Sequence, residues 1–81
     1  MLYQNHPNPF NPVTNIRFDI KENETGVLSI YNIKGQFIES HQFEAGQRNF
    51  QWDASNQASG VYFYKLQTES STVNKKMLLL K

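Results

Sequence analysis

Apolar and polar side chains alternate along most of this chain, which is the pattern of strands that bury one face. The clearest case is Ile16, Phe18 and Ile20, which alternate with charged residues. Because successive side chains of a strand point to opposite faces, this spacing predicts a half-buried strand. The same alternation predicts five more strands, at residues 27–31, 37–43, 48–53, 61–68 and 73–80. In the strand at residues 27–31, we expect Leu28 and Ile30 to point inward.

Short polar segments separate the predicted strands. We expect Gly26 to close a turn at residues 22–26, and Gly35 to supply the positive φ of a tight hairpin at residues 32–35. No segment has a sustained helical period, and the strands recur about every eight to twelve residues. The sequence therefore predicts an all-β fold, an immunoglobulin-like antiparallel β-sandwich of about seven short strands.

The strand at residues 61–68 is apolar on both faces. Tyr62, Tyr64 and Leu66 lie on one face, and Val61 and Phe63 lie on the other. Strands of this kind are usually central in their sheet and covered on each side. We therefore expect one face to join the core and the N-terminal segment to cover the other.

The N-terminal strap, residues 1–13, is the remaining organised segment. Its motif surrounds one aromatic ring with prolines and asparagines: Pro7, Asn8, Pro9, Phe10, Asn11 and Pro12. Prolines exclude a helix and favour an extended backbone, and the asparagines can form Asx-turns. A linker is the alternative, but the central Phe10 favours a docked strap. We predict a single domain in which residues 1–13 form the strap and residues 14–81 form the sandwich.

Composition narrows the function. The chain has 81 residues, eight Lys and Arg against seven Asp and Glu, a formal net charge of +1 and no cysteine. This balance favours neither nucleic acid nor an anionic membrane, and no apolar run approaches the roughly 20 residues that span a bilayer. Disulfides and thiolate metal sites are excluded. His6 and His41 belong to no ligand cluster and no catalytic motif is present, so we expect no enzyme, cofactor or metal.

Two groups of residues are candidates for binding. Four aromatic residues present a platform for sugar rings if exposed: Tyr31, Trp52, Tyr62 and Tyr64. The alternation of Tyr62, Tyr64 and Leu66, and the pairing of Trp52 with Phe50, favour a core face instead. The second group ends the chain, where lysines flank an apolar strand: Lys75, Lys76, Met77, Leu78, Leu79, Leu80 and Lys81. Lysines protect an edge strand from aggregation, and such an edge is also a natural site for strand addition or for a weak dimer.

Several motifs in order resemble one family, the type A C-terminal sorting domains of the type IX secretion system of Bacteroidetes. The residues that carry the resemblance run from the strap motif through Gly35, Trp52, Gly60 and Tyr62 to the lysine-flanked terminus. The stretch between Trp52 and Gly60 is shorter than in many members. A similar sandwich occurs in the flagellar hook-capping protein, so fold alone does not decide function.

The resemblance implies a non-catalytic export signal fused behind a cargo protein. The family directs cargo from the periplasm through an outer-membrane translocon, and a surface sortase commonly removes the domain, leaving the cargo secreted or at the cell surface. The resemblance therefore implies the translocon and the sortase as partners. From position alone, because an exposed chain end, an apolar strand and flanking positive charge coincide there, we expect residues 75–81 to be recognised together with the folded sandwich. The alternative is a structural or carbohydrate-binding accessory module of a secreted protein.

Overall fold

The computed structural model describes all 81 residues and contains strands, turns and no helix. Its strands are β1 (Val13–Arg17), β2 (Thr25–Asn32), β3 (Phe37–Glu44), β4 (Asn49–Asp53), β5 (Gly60–Thr68) and β6 (Thr72–Leu79). There are six strands rather than about seven. The six correspond to the six segments in which apolar and polar residues alternate, and the strap makes only isolated bridges.

Two antiparallel sheets form the sandwich. One has four strands in the order β3-β2-β5-β6, and the other pairs β1 with β4. The position of β5 between β2 and β6 confirms that it is central. The antiparallel β-sandwich predicted from the alternation is confirmed.

The core lies between the two sheets and contains 14 buried apolar residues. Leu28 and Ile30 enter it from β2, as predicted, and Tyr64 enters it from β5. The opposing sheet contributes Ile16 and Trp52. The side chains that alternate along each strand are therefore sorted into a core face and an outer face, as the pattern predicts.

The strap passes from one sheet to the other. Its first part lies along β1, where the Tyr3 amide donates to the Arg17 carbonyl at 3.0 Å. Its second part lies along β6, where the Phe10 amide donates to the Leu78 carbonyl and the Leu80 amide donates to the Phe10 carbonyl, both at 3.0 Å. The strap therefore closes one open side of the sandwich.

Docking of the strap through Phe10 is confirmed, because this side chain is only 2% exposed. The predicted position is wrong. The ring lies 5.9 Å from the Trp52 ring, centroid to centroid, and not over Val61 and Phe63. The reason is the backbone pairing with β6, which places the ring between the sheets at their edge and leaves the outer face of β5 uncovered.

The first predicted turn is displaced. The residue with a positive φ in this turn is Asn23, at 69°, whereas Gly26 already lies inside β2. A Cβ atom on Gly26 would lie 2.8 Å from the Ile20 Cδ1 atom, so the glycine provides room for a core side chain. The hairpin prediction is confirmed, since Gly35 has a φ of +80°.

A buried polar network fastens the strap to the core. The Asn5 side-chain amide donates to the Thr14 hydroxyl at 2.9 Å, and the Asn5 backbone amide donates to the Tyr64 hydroxyl at 2.8 Å. The Tyr64 hydroxyl in turn donates to the Tyr3 carbonyl at 2.9 Å. Burial raises the pKa of Tyr64 to about 12, although the Asn5 amide opposes this effect.

The sandwich is 38 Å long on its principal axis. Its two ends contain different parts of the chain, which we call the proximal and the distal end. Residue 1 lies at the proximal end, where the Asp19 amide donates to the Met1 carbonyl at 2.8 Å and the Thr25 amide donates to the Glu69 carboxylate. Residue 81 lies at the distal end. There the Lys81 amide donates to the Ser59 hydroxyl at 3.0 Å, beside the β2–β3 turn.

Candidate partner-binding surface

The side chains of the predicted terminal segment divide between core and surface. Met77 and Leu79 are buried, since β6 pairs with β5 so that Met77 is opposite Tyr62 in the core. The remaining side chains are exposed or half-buried: Lys75, Lys76, Leu78, Leu80 and Lys81. Only this second group is available to a partner.

The outer edge of β6 is already paired near its end. The Leu78 amide donates to the Asn8 side-chain oxygen at 2.9 Å, and the Gln4 side-chain amide donates to the Lys76 carbonyl at 2.8 Å. Asn8 therefore bonds to β6. Together with the two Phe10 bonds, these contacts occupy residues 76–80 of the edge that the sequence left open for strand addition. A new strand would have to displace the strap, so exposed side chains are the accessible feature of this segment.

Lys81 joins the end of the chain to the loop before β5. Its ammonium donates to the Ser55 carbonyl at 2.6 Å, in addition to the amide bond with Ser59. Both contacts are exposed. The residue thus orders the distal end while its positive charge stays in solvent.

The aromatic residues of the family motif meet in the core near the distal end. The Trp52 ring lies 5.9 Å from Phe10 and 5.5 Å from Tyr62, the second contact being edge-on. The Tyr62 hydroxyl donates to the Ala58 carbonyl at 2.6 Å, just before Gly60, whose φ is +149°. Positions far apart in the sequence therefore form one packed cluster.

A half-buried carboxylate that the sequence did not indicate supports this cluster. Glu39 on β3 accepts a hydrogen bond from the Trp52 indole nitrogen at 2.9 Å, and its second oxygen lies 2.6 Å from the His41 Nε2 atom. Glu39 lies opposite Ile30, on the core face of the sheet. Its partner across the sandwich was not predictable from the spacing within β3.

The sugar platform does not form. Trp52, Tyr62 and Tyr64 are all buried, so none presents a free ring face. Stacking on a sugar requires such a face. The interpretation of these rings as core is confirmed.

The chain contains no group of three or more His, Cys, Asp or Glu side chains that could hold a metal ion. It also has no helix with the length and apolar character needed to cross a membrane.

In a comparison with protein-family models, residues 4–80 match the secretion system C-terminal sorting domain. The chain belongs to this family. The match runs from the strap to the end of β6 and thus includes both sheets and the aromatic cluster. No curated protein and no solved structure matches the chain. The resemblance drawn from the motifs is confirmed, and a type IX sorting domain implies an N-terminally fused cargo that is secreted or displayed at the cell surface.

Proposed function

We propose that this chain is a non-catalytic sorting signal that directs its fused cargo from the periplasm through the outer-membrane type IX translocon. The observation that carries the proposal is the family match across residues 4–80. The match includes the strap and both sheets, so it extends over nearly the whole fold. In this proposal the chain is a ligand of the secretion machinery.

The positions of the two ends suit this role. A cargo joined before residue 1 is attached at the proximal end, beside Asp19. The distal end, with Lys81, then lies at the opposite end of the sheets from the cargo. The machinery can therefore contact the distal end without being obstructed by the cargo.

We propose that the accessible part of the terminal segment is the recognised part. Lys76, Leu80 and Lys81 are exposed, and Lys75 and Leu78 are half-buried. Met77 and Leu79 act indirectly, by holding β6 in the core. Positive charge next to an exposed leucine gives a partner both a steering charge and an apolar contact.

The function is tested with a reporter protein carrying a periplasmic export leader and this chain at its C-terminal side, in a bacterium with a type IX system. We expect the reporter in the medium or on the surface of normal cells, and in the periplasm of cells without the translocon. The reporter without the chain is the control. Equal distribution of both reporters would contradict the proposal.

The recognised segment is tested by exposed substitutions, since removing β6 would also remove Met77 and Leu79 from the core. The variant combines Leu80→Ser with Lys81→Ala, and the control combines Val27→Ser with Lys21→Ala toward the proximal end. We expect both to melt like the native chain and only the first to retain the reporter in the periplasm. Full export of the first variant would show that these side chains are not recognised.

We propose further that a surface sortase separates cargo and domain before residue 2. Leu2 is buried and residues 3–10 are hydrogen-bonded into the fold, so a protease acting on the folded domain needs a peptide upstream of them. Mass spectrometry of the released domain tests this. A new N-terminus inside residues 3–10 would contradict it.

A further inference from the structure

An apolar strip remains uncovered on the outer face of the four-stranded sheet. Tyr31 of β2 lies opposite Phe37 of β3 on one side and opposite Phe63 of β5 on the other. We call these three residues the aromatic row. The rings of Tyr31 and Phe37 are 6.0 Å apart and edge-on. Phe37 is 61% exposed and Phe63 is 36% exposed, so the row faces solvent.

Aliphatic side chains extend the row toward the distal end. Val61 lies opposite Leu78 on the same face, and Ile33 in the β2–β3 turn is 65% exposed. Adjacent strands are about 4.8 Å apart, so the surface from Phe37 on β3 across the sheet to β6 is about 14 Å wide. Exposed apolar clusters on a small polar protein mark contact sites, and aromatic residues are enriched at the centres of interfaces.

Positive charge borders the row. The Lys65 ammonium lies 5.5 Å from the centroid of the Tyr31 ring, Lys76 lies opposite Phe63, and Lys34 is in the β2–β3 turn. The three surface hollows next to the row contain no Asp or Glu in their linings. The carboxylates Glu44 and Glu69 are instead at the proximal end of the sheet.

We propose that the aromatic row is the docking surface for a partner protein whose contact site is apolar at its centre and bordered by Asp or Glu carboxylates. The inference rests on the proposed function, since this partner is the component of the secretion machinery that receives the domain. Burial of the rings provides affinity, and the lysine border steers and orients an acidic partner.

A second copy of the chain is a poor occupant of this surface. Two copies docked row on row around a two-fold axis would bring Lys65 and Lys76 of one copy close to the same residues of the other. Like charges placed together in an interface oppose association. An acidic partner removes this conflict.

The test uses the reporter fusion in cells with the type IX system. The variant Phe37→Ser with Phe63→Thr removes the exposed rings, and the control Val27→Thr with Gln42→Ser changes the same face toward the proximal end. We expect native melting temperatures for both and a fall of more than about tenfold in the exported fraction for the first alone. The pair Lys65→Glu with Lys76→Glu should lower export similarly, and Lys65→Gln with Lys76→Gln less.

The occupant is identified with the photoreactive variant Phe63→benzoylphenylalanine in living cells. We expect an adduct with one other protein, through a peptide that contains Asp or Glu beside apolar residues. An adduct with a second copy, with lipid or with a basic peptide would overturn the proposal. If the native fusion and the row variant are exported equally, only the proposed docking surface is contradicted. If the native fusion is not exported, the proposed function is contradicted as well.

Discussion

Removal of the Phe10 ring tests how the strap is held. The side chain is 2% exposed, and its ring centroid lies 5.9 Å from that of Trp52. Phe10→Ala therefore removes a fully buried aromatic side chain. Such substitutions cost about 3–5 kcal/mol in protein cores. The strap is a surface segment that can move into the space, which places the expected cost near the lower limit, about 3 kcal/mol.

This loss is large for a domain of 81 residues. One kcal/mol lowers the melting temperature of a domain of this size by about 4–8 °C, so we expect a fall of about 12 °C or more. Circular dichroism at increasing temperature measures it. Amide exchange should also accelerate at Leu80, whose N–H donates to the Phe10 carbonyl.

Phe37→Ala is the matched control, because the same ring is removed from a side chain that is 61% exposed. Exposed substitutions usually change stability by less than about 0.5 kcal/mol. Equal melting temperatures for the Phe10 variant and the native chain would refute the view that this ring holds the strap between the sheets.

Three further perturbations address the core cluster, the polar network and the hairpin. Glu39→Ala leaves the buried Trp52 indole N–H without its acceptor, and urea denaturation should show a loss of about 1–3 kcal/mol. Burial raises the pKa of Tyr64 from 10.0 to about 12, so its contribution to stability is complete below pH 10 and is lost as the pH rises to 12. The loss amounts to about 2–3 kcal/mol, and Tyr64→Phe should flatten this part of a plot of melting temperature against pH. Gly35→Ala places a Cβ atom at a φ of +80°, which should cost about 1–2 kcal/mol in the same urea experiment.

Each of these expectations has an outcome that contradicts it. Unchanged stability of the Glu39 variant would mean that water replaces the carboxylate. An alkaline decline that survives Tyr64→Phe would assign it to other groups. A neutral Gly35→Ala substitution would show that the hairpin can adopt another turn.

The local sequence pattern predicts the strands well because alternation is a property of neighbouring residues. Ile16, Leu28 and Ile30 are buried as their spacing predicts. The error at Gly26 has a physical cause, since a glycine that makes room for Ile20 and a glycine that makes a turn look the same in a single sequence.

The course of the strap was not predictable in the same way. Prolines specify an extended backbone but no inward face, so the burial of Phe10 was predicted correctly, whereas the predicted position over the outer face of β5 was wrong. Its position depends on bonds to Leu78 and Leu80, which lie about seventy residues away in the chain. The open outer face of β5 follows from this position, since a strap at the edge of β6 cannot also cover Phe63.

The candidate site was predictable only in part. The lysine-flanked terminus was visible, but the burial of Met77 and Leu79 and the pairing of the β6 edge depend on tertiary structure. The aromatic row was hidden for the same reason. Its three residues belong to three strands, and their proximity depends on strand order and register.

The most direct test of the account compares the two ends of the folded sandwich in one export measurement. One fusion carries substitutions of exposed distal side chains, Ile33→Ser, Lys34→Ala and Leu80→Ser, and the other carries as many at the proximal end, Glu22→Ala, Glu44→Ala and Ser70→Ala. With both domains folded, we expect the distal set to leave the reporter in the periplasm and the proximal set to be exported like the native fusion. Export of the distal set at the native level, or equal loss for both sets, would contradict this expectation.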